Sequence, residues 1–169
     1  MNEIPLAIVG CGGMGGRHLL GLKELYDSGM CNVELVAVCD LRRDNAERLA
    51  DDAAALLGRR PLVFGDMEGM VRALPELQTA DVTTDSGSHH AVACAALDLG
   101  LHVLCEKPLA LTMRGCNRIL EAQRRSMIQS DGSSLLCVEF YGDSRDELMA
   151  RMEAVERDLI GAGIRRRVR

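Results

Sequence analysis

The chain has 169 residues, 47% of them hydrophobic, which suggests one domain with an ordinary core. Its net charge of −5 argues against a general nucleic-acid binder, and 2% aromatics with no Trp argue against stacking on single strands. No apolar run is long enough to span a membrane, no basic-then-apolar leader precedes the first strand, and seven cysteines include no C-x-x-C, so the sequence predicts a cytoplasmic protein with free thiols.

Ile4–Val9 reads as a first strand and Met14–Ser28 as a helix closed by Gly29, with Leu19, Leu22, Lys23 and Tyr26 at near-helical spacing. Between them, Gly10, Gly12 and Gly15 fit the G-x-G-x-x-G spacing. In a strand–turn–helix context this pattern predicts a dinucleotide site. Gly10 permits the turn, Gly12 lets phosphates reach the backbone, and Gly15 lets the helix pack on the strand. The N–H groups of the first helical turn, around Gly13 and Met14, then face the anion. A plain strand–turn–helix without a ligand is the alternative.

Val33–Cys39 reads as a second strand, apolar and β-branched as a parallel strand covered on both faces should be. Asp40 at its end is placed to accept hydrogen bonds from the adenosine ribose. Arg42 and Arg43 follow, and an arginine there suits a 2′-phosphate, so both NAD and NADP remain open. The alternative is that Asp40 caps the next helix and the arginines are solvated.

Asp44–Leu57 reads as a helix closed by Gly58, with Leu49, Ala53, Leu56 and Leu57 on one face. Pro61–Phe64 is a short strand. Asp66–Leu74 is a short helix with Met67, Met70, Val71 and Leu74 inward, its methionines core filler rather than a metal site. Ala80–Thr84 is a fourth strand. Ser88–Leu99 is a helix packing Ala91, Ala95, Ala96 and Leu99, and Leu101–Cys105 is a fifth strand. Thr112–Arg125 is a helix with Ile119 and Leu120 inside. Leu135–Phe140 reads as a sixth strand, Ser144–Ile160 as a final amphipathic helix, and the terminal arginines as a solvated tail. Strand and helix alternate about six times, which predicts an α/β doubly wound parallel sheet with its ligand beyond the carboxyl ends of the strands. Gly10–Gly15, Asp40, Thr84, Asp85, Glu106 and Lys107 all fall at such ends.

Glu106-Lys107-Pro108 places two charges directly after a strand read as buried. A lysine at a strand end in a partly dry cleft could donate a proton or hydrogen bond to a substrate oxygen. A surface Glu–Lys pair, worth at most about 1 kcal/mol, is the equal alternative.

Four passages in order, Gly10–His18, Ala37–Asp40, Thr84–His90 and Gly100–Thr112, resemble the nucleotide-binding domain of the Gfo/Idh/MocA oxidoreductases over residues 4–126. The resemblance implies a Rossmann fold, NAD or NADP as cofactor, and hydride transfer at a carbinol carbon of a sugar- or cyclitol-like polyhydroxy substrate. By position it implies Gly10, Gly12 and Gly15 at the pyrophosphate and Asp40 at the ribose; Gly13, Met14 and Arg42 join them as candidate cofactor-binding residues. Thr84, Asp85 and His89 then line the nicotinamide side. Glu106 lies by the nicotinamide ribose, and Lys107 contacts the reacting oxygen as the catalytic residue, its bond to Pro108 commonly cis in this family. His18 matches a family position and is expected to pack or cap. No metal site is expected.

Members of that family carry a second, sheet-rich domain that this chain has no room for. The sequence therefore predicts a Rossmann domain over 1–126 and an atypical tail over 127–169, truncated or recombined, with a partner chain as one source of the missing domain. The passage Ser133–Ser144 is similar to a strand–helix passage of FAD-linked oxidases of the glycolate-oxidase type, without a phosphate loop that would imply a flavin. The alternatives to an oxidoreductase domain are a non-catalytic dinucleotide-binding module and a remnant that binds nothing.

Overall fold

The computed structural model describes residues 3–127 and 144–161. The chain divides into two units, Met1–Met127 and Ile128–Arg169. In the first, β1 (Ile4–Val9) lies at the middle of a parallel sheet with β2 (Val33–Cys39), β3 (Leu62–Phe64), β4 (Thr79–Val82) and β5 (His102–Cys105), in the order β3-β2-β1-β4-β5. The chain leaves β1 on one side, through α1 (Gly13–Asp27) and α2 (Arg43–Leu57). It crosses back through α3 (Met67–Ala73) to the other side, where α4 (His89–Asp98) joins β4 to β5 and α5 (Met113–Met127) follows. This is a doubly wound Rossmann sheet whose order reverses between β1 and β4, the place where such sheets open a crevice. Its five strands are those of the described residues. The sixth expected strand, Leu135–Phe140, lies outside them, as does the arginine tail.

Alternation along β1 explains the two layers. Leu6 and Ile8 point into a core with Leu19 and Leu22 of α1 and Leu49, Ala50 and Ala53 of α2. Ala7 and Val9 point the other way, against Met70 of α3 and Ala96 of α4. The register of β1 on β2 slips between Leu6 and Ala7, which pair with Leu35 and Ala37. The extra residue, Val36, is why Leu35 and Val38, three apart, share one face.

Three expected faces differ from the structure. In α4 the buried side is His89, Ala93, Ala96 and Leu97, while Ala91 is exposed, because this helix packs on α5 as well as on the sheet. In α5, Ile119 and Ala122 meet Ala93 and Leu97, whereas Leu120, one residue round the helix, is 56% exposed. And β5 is not a buried strand: as an edge of the described sheet it exposes Leu104 to 63%. In the second unit, α6 (Arg145–Gly161) is introduced by Ser144, whose hydroxyl accepts the Glu147 N–H at 3.2 Å. Among the described residues the six cysteines are free, and no helix is long and apolar enough to cross a membrane.

Candidate functional site

The glycine loop separates two kinds of need. Gly10 has φ +100°, and a Cβ there would sit 2.6 Å from the Thr84 nitrogen. At Gly15 a Cβ would sit 2.5 Å from the Gly10 carbonyl oxygen. The fold itself requires these two. Gly12 and Gly13 have nothing within 4 Å of an added Cβ, so the packing of the fold does not require glycine at either. Gly12 is the N-cap of α1 and supplies no side-chain cap to the first-turn N–H groups of Gly13, Met14 and Gly15. Open space before uncapped donors at a helix N-terminus suits a pyrophosphate.

Asp40 braces this loop. Its Oδ2 accepts the Cys11 N–H at 2.7 Å and its Oδ1 the Arg42 N–H at 2.8 Å. Arg48 of α2 donates to the Cys11 carbonyl at 3.2 Å. The N-cap of α2 is Arg42, without a side-chain cap of its own, and Asp40 reaches the start of that helix through the Arg42 N–H. Arg43 pairs with Glu47 at 3.0 Å. Burial first, then the Asp40 carboxylate, pushes the Cys11 thiol up to about 12, and burial does the same to Cys39, so neither is a nucleophile at neutral pH.

A cleft of about 900 Å³ opens beyond β1, β2, β3 and β4, and Gly10, Gly12, Asp40, Arg42, Thr84 and Asp85 are on its walls. Thr83 joins those walls from below, its hydroxyl donating to the Gly10 carbonyl at 2.7 Å. The Asp85 carboxylate turns into the chain: it accepts the N–H groups of Gly87 and Ser88 at 3.0 and 3.2 Å and the Ser88 hydroxyl at 2.6 Å. Those bonds, the hydroxyl's foremost, hold Asp85 below the usual carboxylate range. His89, 2% exposed, stands behind the wall rather than on it, with its ring nitrogens 2.7 Å from the Pro108 carbonyl and 3.0 Å from the Thr84 carbonyl. It ties the turn after β4 to the turn after β5.

That second turn carries Glu106 and Lys107, and the Lys107–Pro108 bond is cis. The Glu106 N–H continues the sheet ladder to Val82 at 3.0 Å, and its Oε2 accepts the Lys107 N–H at 2.9 Å. Lys107 is exposed, so the described residues do not build the partly dry cleft expected around it. His18, expected to pack or cap, instead stands between Asp81 and Glu106. Asp81 escaped the reading of the sequence, although a charge inside Ala80-Asp81-Val82 was a visible signal.

The family model for an oxidoreductase family with an NAD-binding Rossmann fold matches residues 4–129. An inositol 2-dehydrogenase of Klebsiella pneumoniae is 29% identical, covering 95% of this chain and 43% of the relative. A "Glycosyl hydrolase family 109 protein 2" of Akkermansia muciniphila is 30% identical over 95% of this chain and 32% of its own length. The crystal structure of myo-inositol dehydrogenase from Lactobacillus casei in complex with NAD(H) and myo-inositol superposes with a TM-score of 0.61 at 28% identity, covering 71% of this chain and 33% of that one. The chain thus spans about a third to two fifths of the length of these relatives.

Proposed function

The chain belongs to the Gfo/Idh/MocA oxidoreductase family, and on that premise we propose that it is the NAD(H)-holding part of a dehydrogenase acting on a carbinol carbon of a sugar- or cyclitol-like substrate. The observation that carries the reading is the bare, open backbone at Gly12 and Gly13 in front of uncapped helix donors. When bound, the nicotinamide accepts or returns the hydride. The chain's own residues do the rest. The α1 N-terminus holds the pyrophosphate. Asp40, with one lone pair of each oxygen engaged by Cys11 and Arg42, keeps the others for ribose hydroxyls. Thr84 and Asp85 shape the opposite wall. Glu106 lies at the nicotinamide ribose, and Lys107 holds the reacting oxygen and moves its proton.

The same geometry favours NAD over NADP. A 2′-phosphate carries about −1.5 to −2 charge and would stand beside the Asp40 carboxylate; Arg43 is paired with Glu47, which leaves Arg42, on the cleft wall, as the cation that opposes this preference. Titrating the purified chain with NADH and NADPH by fluorescence tests both points. Saturable NADH binding, weaker for NADPH, is expected. Preference for NADPH overturns the Asp40 assignment, and no binding to either overturns the reading. Because Lys107 is exposed among the described residues, we also propose that turnover by this chain alone is negligible, with a partner chain as one source of the missing contacts. Hydride transfer to NAD from a polyol by the chain alone, abolished in Lys107→Met, refutes that.

A further inference from the structure

β4 buries a charge. Asp81 lies between Ala80 and Val82 at 3% exposure, and its Oδ1 has no hydrogen-bond partner among the described residues. Its Oδ2 is 2.7 Å from Nδ1 of His18 on α1. The other ring nitrogen, Nε2, is 3.1 Å from Oε1 of Glu106. An ionised carboxylate only accepts hydrogen bonds, and a neutral imidazole has one N–H to give. A ring set between two carboxylates therefore needs a second proton, on the ring or on one of the carboxyls, or it turns a lone pair toward an oxygen.

We propose that His18 is a positioning residue whose bridging proton ties Glu106, and with it the Glu106-Lys107-Pro108 turn, to the buried carboxylate of Asp81, so that dinucleotide affinity follows the protonation of this bridge. The affinity part rests on the reading that puts Glu106 at the nicotinamide end of a dinucleotide. The bridge itself does not.

The charged groups facing the ring are Asp81 from β4 and Glu106 from the turn after β5, with Cys105 and Lys107 flanking Glu106. Arg17, beside His18 on α1, is exposed. Burial disfavours the charged ring, but the bonds to Asp81 and Glu106 outweigh it and hold His18 above its ordinary 6.5. Burial raises Asp81, and the bond from His18 foremost lowers Glu106. When the proton leaves, the remaining N–H stays with Asp81, the closer and more buried partner, at 5% side-chain exposure against 20% for Glu106. Nε2 then faces the Glu106 carboxylate with a lone pair, and the side chain that holds the Lys107 N–H is released. The group of three also goes from one net negative charge to two, beside a site for an anion.

The test is an NADH titration of the native chain, His18→Gln and Asp81→Asn between pH 6.5 and 9.5, with the His18 ring followed in parallel by ¹⁵N NMR. The native dissociation constant is expected to rise about tenfold across the ring's titration, the worth of one charge-assisted hydrogen bond. His18→Gln has nothing to titrate and gives a flat profile at the weaker value. Asp81→Asn moves the transition to lower pH, a shift that lost packing alone does not produce. An unchanged profile in His18→Gln overturns the proposal. So does a His18 ring that titrates near its ordinary value in both the native chain and Asp81→Asn. If NADH binds at no pH, the dinucleotide reading fails and takes the affinity consequence with it, while the NMR titration still decides the bridge.

Discussion

Two glycines of one loop answer to different masters, and alanine substitution separates them. At Gly15 the new Cβ lands 2.5 Å from the Gly10 carbonyl oxygen and 3.3 Å from Thr83 Oγ1. Forcing a methyl into such a contact costs about 1–3 kcal/mol. Disturbing the 2.7 Å bond from Thr83 to the same carbonyl adds about 1 kcal/mol. Alanine returns about 1 kcal/mol by its preference for a helix interior. The net loss centres on about 2 kcal/mol, or about 4–8 °C in Tm for a chain of this size. At Gly12 the backbone is extended, φ −78° and ψ −157°, and nothing lies within 4 Å. Alanine is the poorer N-cap by at most about 1 kcal/mol, so the melt moves by less than about 4 °C. On the proposed reading the same methyl would stand between a pyrophosphate and the helix donors, and losing one charge-assisted bond should weaken NADH about tenfold to a hundredfold. Thermal melting by circular dichroism and NADH titration at about 15 °C, on both variants, read the two effects. A Gly12→Ala chain that binds NADH as tightly as the native one refutes the placement of the anion. A Gly15→Ala chain that melts at the native temperature refutes the packing argument.

Thr83→Val removes the hydroxyl that serves Gly10 and keeps the shape, and urea unfolding should register a loss of about 1–2 kcal/mol. Ile119→Ala should cost about 2–4 kcal/mol, whereas Leu120→Ala, at a site 56% exposed, should stay within about 0.5 kcal/mol; equal losses would put the wrong face of α5 against α4. His18 and Asp81 are both raised in the folded chain, so folding retains a proton there. The stability His18 adds is complete below about pH 6.5 and disappears as pH rises through its folded value, and urea midpoints at pH 6 and 9 should fall in the native chain but much less in His18→Gln. Asp40→Asn should lose about tenfold of the NADH-over-NADPH preference, since the amide drops the charge that opposes a 2′-phosphate; its one oxygen keeps the Cys11 N–H while the Arg42 N–H loses its acceptor, so the ratio of the two affinities is the quantity to read.

The first two strands were legible because an apolar β-branched run between turn residues leaves few alternatives: Ile4–Val9 and Val33–Cys39 stand in the structure with those bounds. Gly10 and Gly15 were legible for the same local reason, a turn and a close approach within one loop. The buried side of α4 was not, because its alanines recur on several sides and give little contrast between faces. The exposure of β5 was not, because Leu101–Cys105 is apolar whether or not a neighbour covers it. The bridge of His18, Asp81 and Glu106 joins residues 63 and 88 positions apart, and only the order β1-β4-β5 brings them together. Spacing along a chain cannot announce a contact made across a sheet.

The strand order also sets a timetable. Each pairing in this sheet is parallel, so none is closed by a tight turn, and the hydrogen bond from Thr83 to Gly10 spans 73 residues. One wall of the cleft, at Asp40, lies within that loop, and the other, at Thr84, lies just past its end. On the proposed reading the cleft that would take a dinucleotide is incomplete until β4 returns to β1, and such long closures are slow. Recovery of NADH binding should therefore trail recovery of helical signal, which makes the ligand a clock for the last half of folding.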